Sequence, residues 1–150
     1  MTHRELCEIG AKFINNSENY HFRRPFVLIE FCPTMGESPD IYGLSGPRSL
    51  LIEVKVSKGD FKRDIKKNFR KSGKGIGLTR YYLCPTGLIN ENELPENWGL
   101  LYCDENKKIE IVKMSGYFFE RDFSQELLIM QSVIRRLAVK YQILDFRETK

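Results

Sequence analysis

Residues 39–67 read P-D-I-Y-G-L-S-G-P-R-S-L-L-I-E-V-K-V-S-K-G-D-F-K-R-D-I-K-K, and the rest of the chain is organised around them. Leu50, Ile52, Val54 and Val56 alternate with Leu51, Glu53, Lys55 and Ser57, the period-two pattern of a strand with one buried face. Glu53 and Lys55 therefore project from the same side. The short Gly-Pro turn before this strand favours an antiparallel hairpin with an extended piece at 40–42, which brings Asp40 beside the strand's middle. Two carboxylates and an ammonium gathered this way suit a divalent cation held against a phosphodiester. Plainer alternatives stay open: Pro-Asp is common in turns, and E-x-K on a half-exposed strand is an ordinary surface ion pair.

Downstream, Ser57 and Asp60 stand three apart, as in a capping box that opens a helix. Phe61, Ile65 and Phe69 then recur every four residues and leave the other faces to basic side chains. From Lys58 to Arg80 there are nine basic residues, Lys58, Lys62, Arg63, Lys66, Lys67, Arg70, Lys71, Lys74 and Arg80, against two acids, Asp60 and Asp64. The chain's net charge of +4 is thus concentrated in one segment, as expected of a surface that faces a polyanion. A solvated helix face would also be charged, but with interspersed acids. Glycines at 73, 75 and 77 mark a mobile loop; G-K-G-I-G lacks the spacing and the following Ser or Thr of a P-loop.

Residues 79–84 form a third strong strand, 88–97 a linker with a turn or short helix, and 98–103 with 108–113 a hairpin. Ser124 is expected to cap a last helix running to about Tyr141. Its broad apolar face, Leu127, Leu128, Met130, Ile134, Leu137, Ala138 and Tyr141, suits core packing or a homodimer contact. Upstream, residues 4–14 read as a helix with Leu6, Ile9, Ala11 and Phe13 as its apolar stripe and Thr2 with Glu5 as a capping box. Glu5 and Glu8 favour that helix's dipole. Residues 26–32 read as a strand with Val27, Ile29 and Phe31 on one face; Glu30, isolated in an apolar run, needs a lysine, a backbone donor or a metal as partner.

The totals fit one domain spanning residues 1–150: 41% of the residues are hydrophobic, including ten Phe and seven Tyr, enough for a single core. No apolar run approaches the roughly 20 residues that cross a bilayer, and the charged start is unlike a signal peptide. The expectation is a soluble, cytoplasmic protein without a membrane partner. Cys7, Cys32, Cys84 and Cys103 contain no C-x-x-C pair, so they read as reduced thiols, Cys32 and Cys84 buried at strand ends, rather than as a zinc or redox motif.

A hard cation such as magnesium takes oxygen ligands, usually one or two carboxylates with waters and phosphate oxygens. Asp40 and Glu53 can supply the carboxylates and the Val54 carbonyl a third ligand. Lys55 would orient the attacking water or help deprotonate it.

The order helix, strand, P-D on a second strand, E-V-K on a third, helix, strand resembles the PD-(D/E)XK nuclease superfamily. Pro39-Asp40, Glu53 and Lys55 match its motif, and E-V-K-V-S-K-G-D-F-K-R-D-I-K-K is similar to its compact phage and bacterial members. The resemblance spans about residues 4–84. It implies an α/β (α+β) restriction-endonuclease-like core, a central mixed sheet flanked by helices, with the later hairpin and helix as additions. It further implies a metal-dependent DNA endonuclease or repair-type nuclease using Mg2+, with Mn2+ as a substitute and Glu5 as an accessory acid; Glu30 is a second accessory candidate from the residues themselves. DNA is the expected partner, RNA remaining open, as phosphate contacts carry no sequence information. The alternatives are a noncatalytic nucleic-acid-binding module using the basic 58–80 segment, and an interaction domain that dimerises through its last helix.

Overall fold

The computed structural model describes residues 1–70 and 74–138. The hairpin of the opening stretch forms: β2 (Ile41–Leu44) lies antiparallel to β3 (Leu50–Val54) with Ile41 opposite Ile52. β1 (Phe26–Ile29) flanks β2 antiparallel, while β4 (Thr79–Pro85) and β5 (Gly99–Cys103) continue beside β3 in parallel, and β6 (Ile109–Lys113) closes the far edge antiparallel. The result is one six-stranded mixed sheet in the order β1-β2-β3-β4-β5-β6. Three helices flank it, so the fold is α+β: α1 (His3–Asn16), α2 (Lys58–Asp64) and α3 (Phe123–Leu137). The expected C-terminal hairpin is present, but as the continuation of the sheet; β5 pairs with β4, and Trp98, Leu101 and Cys103 are core residues.

The alternation in β3 sorts its side chains between two cores. Leu50, Ile52 and Val54 meet Leu6, Cys7, Ala11 and Ile14 of α1 on one face. Leu51 shares the other face with Tyr82, Phe61 of α2 and Ile129 of α3. Burying each such aliphatic side chain contributes roughly 1.5–3 kcal/mol before entropy is subtracted. β3 is therefore buried on both faces rather than one, because helices cover both sides of a strand that lies inside the sheet. This changes the meaning of Glu53 and Lys55, which are 3% and 7% exposed.

Several local boundaries differ from the sequence pattern. α1 buries Leu6, Cys7, Gly10, Ala11 and Ile14, and a Cβ on Gly10 would stand 2.6 Å from Ile41 Cδ1 and 2.7 Å from Leu83 Cδ2. Glycine there lets the helix lie low on the sheet. The strand at 26–32 stops at Ile29, since Glu30 adopts φ 46°, and Cys32 is exposed. α2 is a helix of only seven residues: the Ile65 N–H bonds to the Phe61 and Arg63 carbonyls, and the chain tightens into a 3-10 turn at Asn68–Arg70. α3 is capped by Asp122, whose side chain accepts the Gln125 N–H at 3.0 Å, rather than by Ser124; Tyr141 lies outside the described residues. The face α3 turns to the core is only in part the expected one: Ile129 and Ser132 are buried and Met130 and Val133 pack beside them, whereas Leu127, Ile134 and Leu137 of the expected apolar face are exposed. Among the described residues no helix is long and apolar enough to cross a membrane.

Candidate functional site

Asp40 precedes β2, Glu53 sits in β3 and Lys55 follows it, and the hairpin register places all three together. Asp40 Oδ2 accepts the Val54 N–H at 2.8 Å, which fixes the carboxylate against the strand that carries the other two. Lys55 Nζ stands 3.1 Å from Glu53 Oε2 and 3.6 Å from Asp40 Oδ2. The backbone contact of Val54 with Asp40 runs through its amide; its carbonyl remains a ligand only by resemblance.

Three further residues complete the cluster, one of which, Arg70, is expected from the basic run to lie on the polyanion-facing surface. Asp64, on the last turn of α2, lies 3.7 Å from Lys55 Nζ through Oδ1 and accepts the Tyr82 hydroxyl at 2.8 Å. Arg70 donates to Asp64 at 2.7 and 3.2 Å, pairs with Glu37, and lies 2.9 Å from Glu53 Oε1. Glu37, from the turn-rich loop before Asp40, also accepts the Ile76 N–H at 3.2 Å. Arg70 is therefore not part of a docking surface: it is 3% exposed and is the counter-charge of three carboxylates. The end of α2 at Asp64 turns the chain back so that this side chain can reach inward.

Glu53 is the carboxylate of this cluster whose proton affinity burial raises. Burial pushes its carboxyl up to about 7, Arg70 and Lys55 pulling against burial, Asp40 and Asp64 adding to it. Burial draws Lys55 downward, but Glu53, Asp64 and Asp40 outweigh it and hold the ammonium above its ordinary value. Lys55 is thus a charged donor, suited to orienting a water and balancing negative charge; the expected share in deprotonation does not fit a lysine held this firmly in its ammonium form. Asp64 is also buried, yet Arg70, Lys55 and Lys67 keep its carboxyl well below the usual range.

Four carboxylates, Asp40, Glu53, Asp64 and Glu37, face two buried cations, with Lys67 adding a third from the rim at 2.8 Å from Asp64. Negative charge is in excess. Glu53 Oε1 is buried without a hydrogen-bond donor aimed at it, because the nearby Arg70 guanidinium meets it as an ion pair out of line. Oxygen donors, a surplus of negative charge and a buried carboxylate oxygen without an aligned hydrogen-bond donor fit a hard cation such as magnesium.

The accessory acids divide. Glu5 is spent on its helix end, accepting the Thr2 N–H at 2.7 Å while Thr2 Oγ1 accepts the Glu5 N–H, and it makes no contact with Asp40 or Glu53. His3 of α1 takes the expected place instead: its Nε2 is 3.4 Å from Asp40 Oδ1 and its Nδ1 is 3.4 Å from Glu30 Oε1. Glu30 is half exposed and reaches the cluster only through His3. Sequence signals for the missed residues existed. Asp64 falls between Phe61 and Ile65 on the packed arc of α2, and His3 precedes Cys7 by one turn on the buried stripe of α1.

The basic segment is likewise split. Lys62, Arg63, Lys66, Lys67 and Lys74 are exposed, Lys58 is half-buried against Glu93, and Lys71 lies outside the described residues. Arg80 is wholly buried: its guanidinium donates to the carbonyls of Phe69, Lys74, Gly75 and Gly77 and stacks 4.0 Å from the Phe118 ring. Gly75 and Gly77, with φ 84° and 93°, wrap the chain around it. The second half of the expected mobile glycine loop is thus folded on an arginine, and Arg80 cannot meet a phosphate.

No family model and no curated protein matches this chain. Among solved structures, a protein of unknown function from Silicibacter pomeroyi matches with a TM-score of 0.64 at 20% identity, over 97% of this chain and 99% of that one. The shared fold thus takes in the whole sheet, including the hairpin β5–β6 and helix α3.

Proposed function

We propose that this protein is a metal-dependent nuclease of the PD-(D/E)XK type that hydrolyses DNA phosphodiesters in the cytoplasm. The observation that carries the reading is the convergence of Asp40, Glu53 and Lys55 in one cluster with Asp64. Asp40 and Glu53, with the Val54 carbonyl, would hold magnesium. When bound, the ion lowers the pKa of a coordinated water and offsets charge on the phosphate. Arg70 keeps Glu53 in place from behind. Asp64, 3.7 Å away, is a further partner for Lys55, whose ammonium would orient the attacking water. Lys62, Arg63, Lys66 and Lys67 would contact the backbone of the nucleic acid, so binding should weaken steeply with salt. A second copy could dock on α3 through Leu127, Ile134 and Leu137, which are 69%, 53% and 83% exposed.

The direct test is incubation of labelled duplex, branched and single-stranded DNA, with RNA alongside, in magnesium or manganese. Cleavage of at least one form is expected; no cleavage of any with either metal rejects the proposal. Asp40→Asn should abolish metal binding at this site and cleavage together, while leaving salt-dependent DNA affinity in place. If instead DNA affinity is cation-independent and Asp40→Asn changes nothing, the chain is a noncatalytic binding module.

Proton and cation compete for Glu53, whose carboxyl is raised to about 7 by burial. Magnesium affinity, followed by titration calorimetry, is expected to weaken about tenfold per pH unit below pH 7 and to level off above it. An affinity that is flat from about pH 5.5 to 8 would remove Glu53 as a ligand.

A further inference from the structure

The first turns of α1 place His3 and Cys7 one above the other, and the turn after β1 brings Glu30 against them. His3 Nδ1 is 3.7 Å from Cys7 Sγ and 3.4 Å from Glu30 Oε1, and one donor atom from each residue lies within 4.8 Å of the others. A tetrahedral zinc ion with a Zn–N or Zn–O bond near 2.0 Å and a Zn–S bond near 2.3 Å separates its ligands by roughly 3.5 Å for nitrogen to sulfur and roughly 3.3 Å for nitrogen to oxygen. The metal-free spacings already approach these values.

Two other features point the same way. His3 Nε2 is 3.4 Å from Asp40 Oδ1, the same distance at which Nδ1 stands from Glu30 Oε1. A carboxylate beside the second ring nitrogen is the usual way a ligating histidine is oriented, so with Nδ1 on a metal Asp40 is placed to accept the Nε2 proton. Glu30 holds φ 46°, a conformation that costs a non-glycine residue energy and that carries its carboxylate to His3.

We propose that His3 Nδ1, Cys7 Sγ and Glu30 Oε1 form a second metal site for a zinc-class transition cation, oriented by Asp40 through His3 and adjoining the carboxylate cluster to which Asp40 belongs. Thiolate and carboxylate together neutralise a dication, and the Cys7 proton leaves to solvent on binding. The mixed N, S and O donors select against magnesium. His3 and Glu30, 38% and 51% exposed, provide the way in and leave a fourth position for water or another ligand. The inference goes beyond the nuclease reading and does not depend on it.

Titration of the metal-free full chain with cobalt(II), in excess magnesium, tests it. One equivalent should bind and give a thiolate-to-cobalt charge-transfer band in the near ultraviolet together with visible bands of tetrahedral intensity. Cys7→Ser should erase the charge-transfer band, and Glu30→Gln should weaken cobalt binding at least tenfold while leaving the circular dichroism unchanged. Cys32→Ser, which removes the exposed thiol of the same loop, should leave the spectrum as it was. Should the buried Cys7→Ser variant not fold, Glu30→Gln and His3→Gln decide. The proposal falls if no charge-transfer band forms, if it survives Cys7→Ser, if it vanishes in Cys32→Ser, or if Glu30→Gln binds cobalt as tightly as the parent. Failure of the nuclease assay leaves this spectrum unaffected, and loss of the spectrum leaves cleavage with magnesium to be judged by itself.

Discussion

Replacing Lys55 with Ala is expected to lower magnesium-dependent cleavage by about 10²–10³-fold, the range for losing a preorganised donor that stabilises developing charge, while DNA affinity changes by no more than a few-fold. The prediction follows from where the ammonium stands. It lies among Glu53, Asp40 and Asp64, on a residue only 7% exposed, so removing it subtracts little from contacts with a nucleic-acid backbone. Single-turnover cleavage and filter binding on the same preparation separate the two quantities. Lys55→Met, which keeps the aliphatic stem, guards against a loss that is merely structural. A Lys55→Ala variant that cuts at the parental rate would remove the lysine from the chemistry.

Arg70→Ala should be the most destabilising single change at the cluster, by about 3–5 kcal/mol, because it leaves Glu53, Asp64 and Glu37 as buried carboxylates without their shared counter-charge. Urea denaturation measures it directly. The pH dependence has a definite sign. Asp64 is held below its ordinary value by Arg70, so the stability it contributes is present above about pH 4 and disappears as the pH falls further. The difference between parent and variant should therefore be largest at neutral pH and shrink toward acid. Had Arg70 belonged to the docking surface, as its place in the basic run suggests, the substitution would weaken DNA binding and leave the midpoint unchanged. The two outcomes cannot be confused.

Much of the frame was legible without coordinates. Alternation in residues 50–57 identifies β3, the short Gly-Pro turn fixes its antiparallel pairing with β2, and the capping residues Thr2 and Ser57 locate the starts of α1 and α2. These are local properties: a side chain's face follows from the period of its own strand or helix, and a cap from residues three apart. That is why Asp40, Glu53 and Lys55 could be brought together from sequence, two by period and one by register.

What the chain does between elements was not legible. Arg70, Arg80 and Lys66 look alike in a basic run, yet Arg70 neutralises a buried carboxylate cluster, Arg80 organises a glycine loop and Lys66 faces solvent. Long charged side chains are assigned by what surrounds them, and that is set by how far α2 runs before it breaks. Glu37 was invisible for the same reason, and His3 showed only its place one turn before Cys7, since each meets its carboxylate or guanidinium partners across more than twenty-five residues of chain. The sequence alone determined the two hairpins, β2 with β3 and β5 with β6, and which three side chains could converge; the tertiary structure joined the strands into one sheet and decided that the three converge in a buried place, because helices cover both faces of β3. Only burial turns an exposed Glu-Lys pair into a carboxyl raised to about 7 beside an ammonium that cannot easily lose its proton.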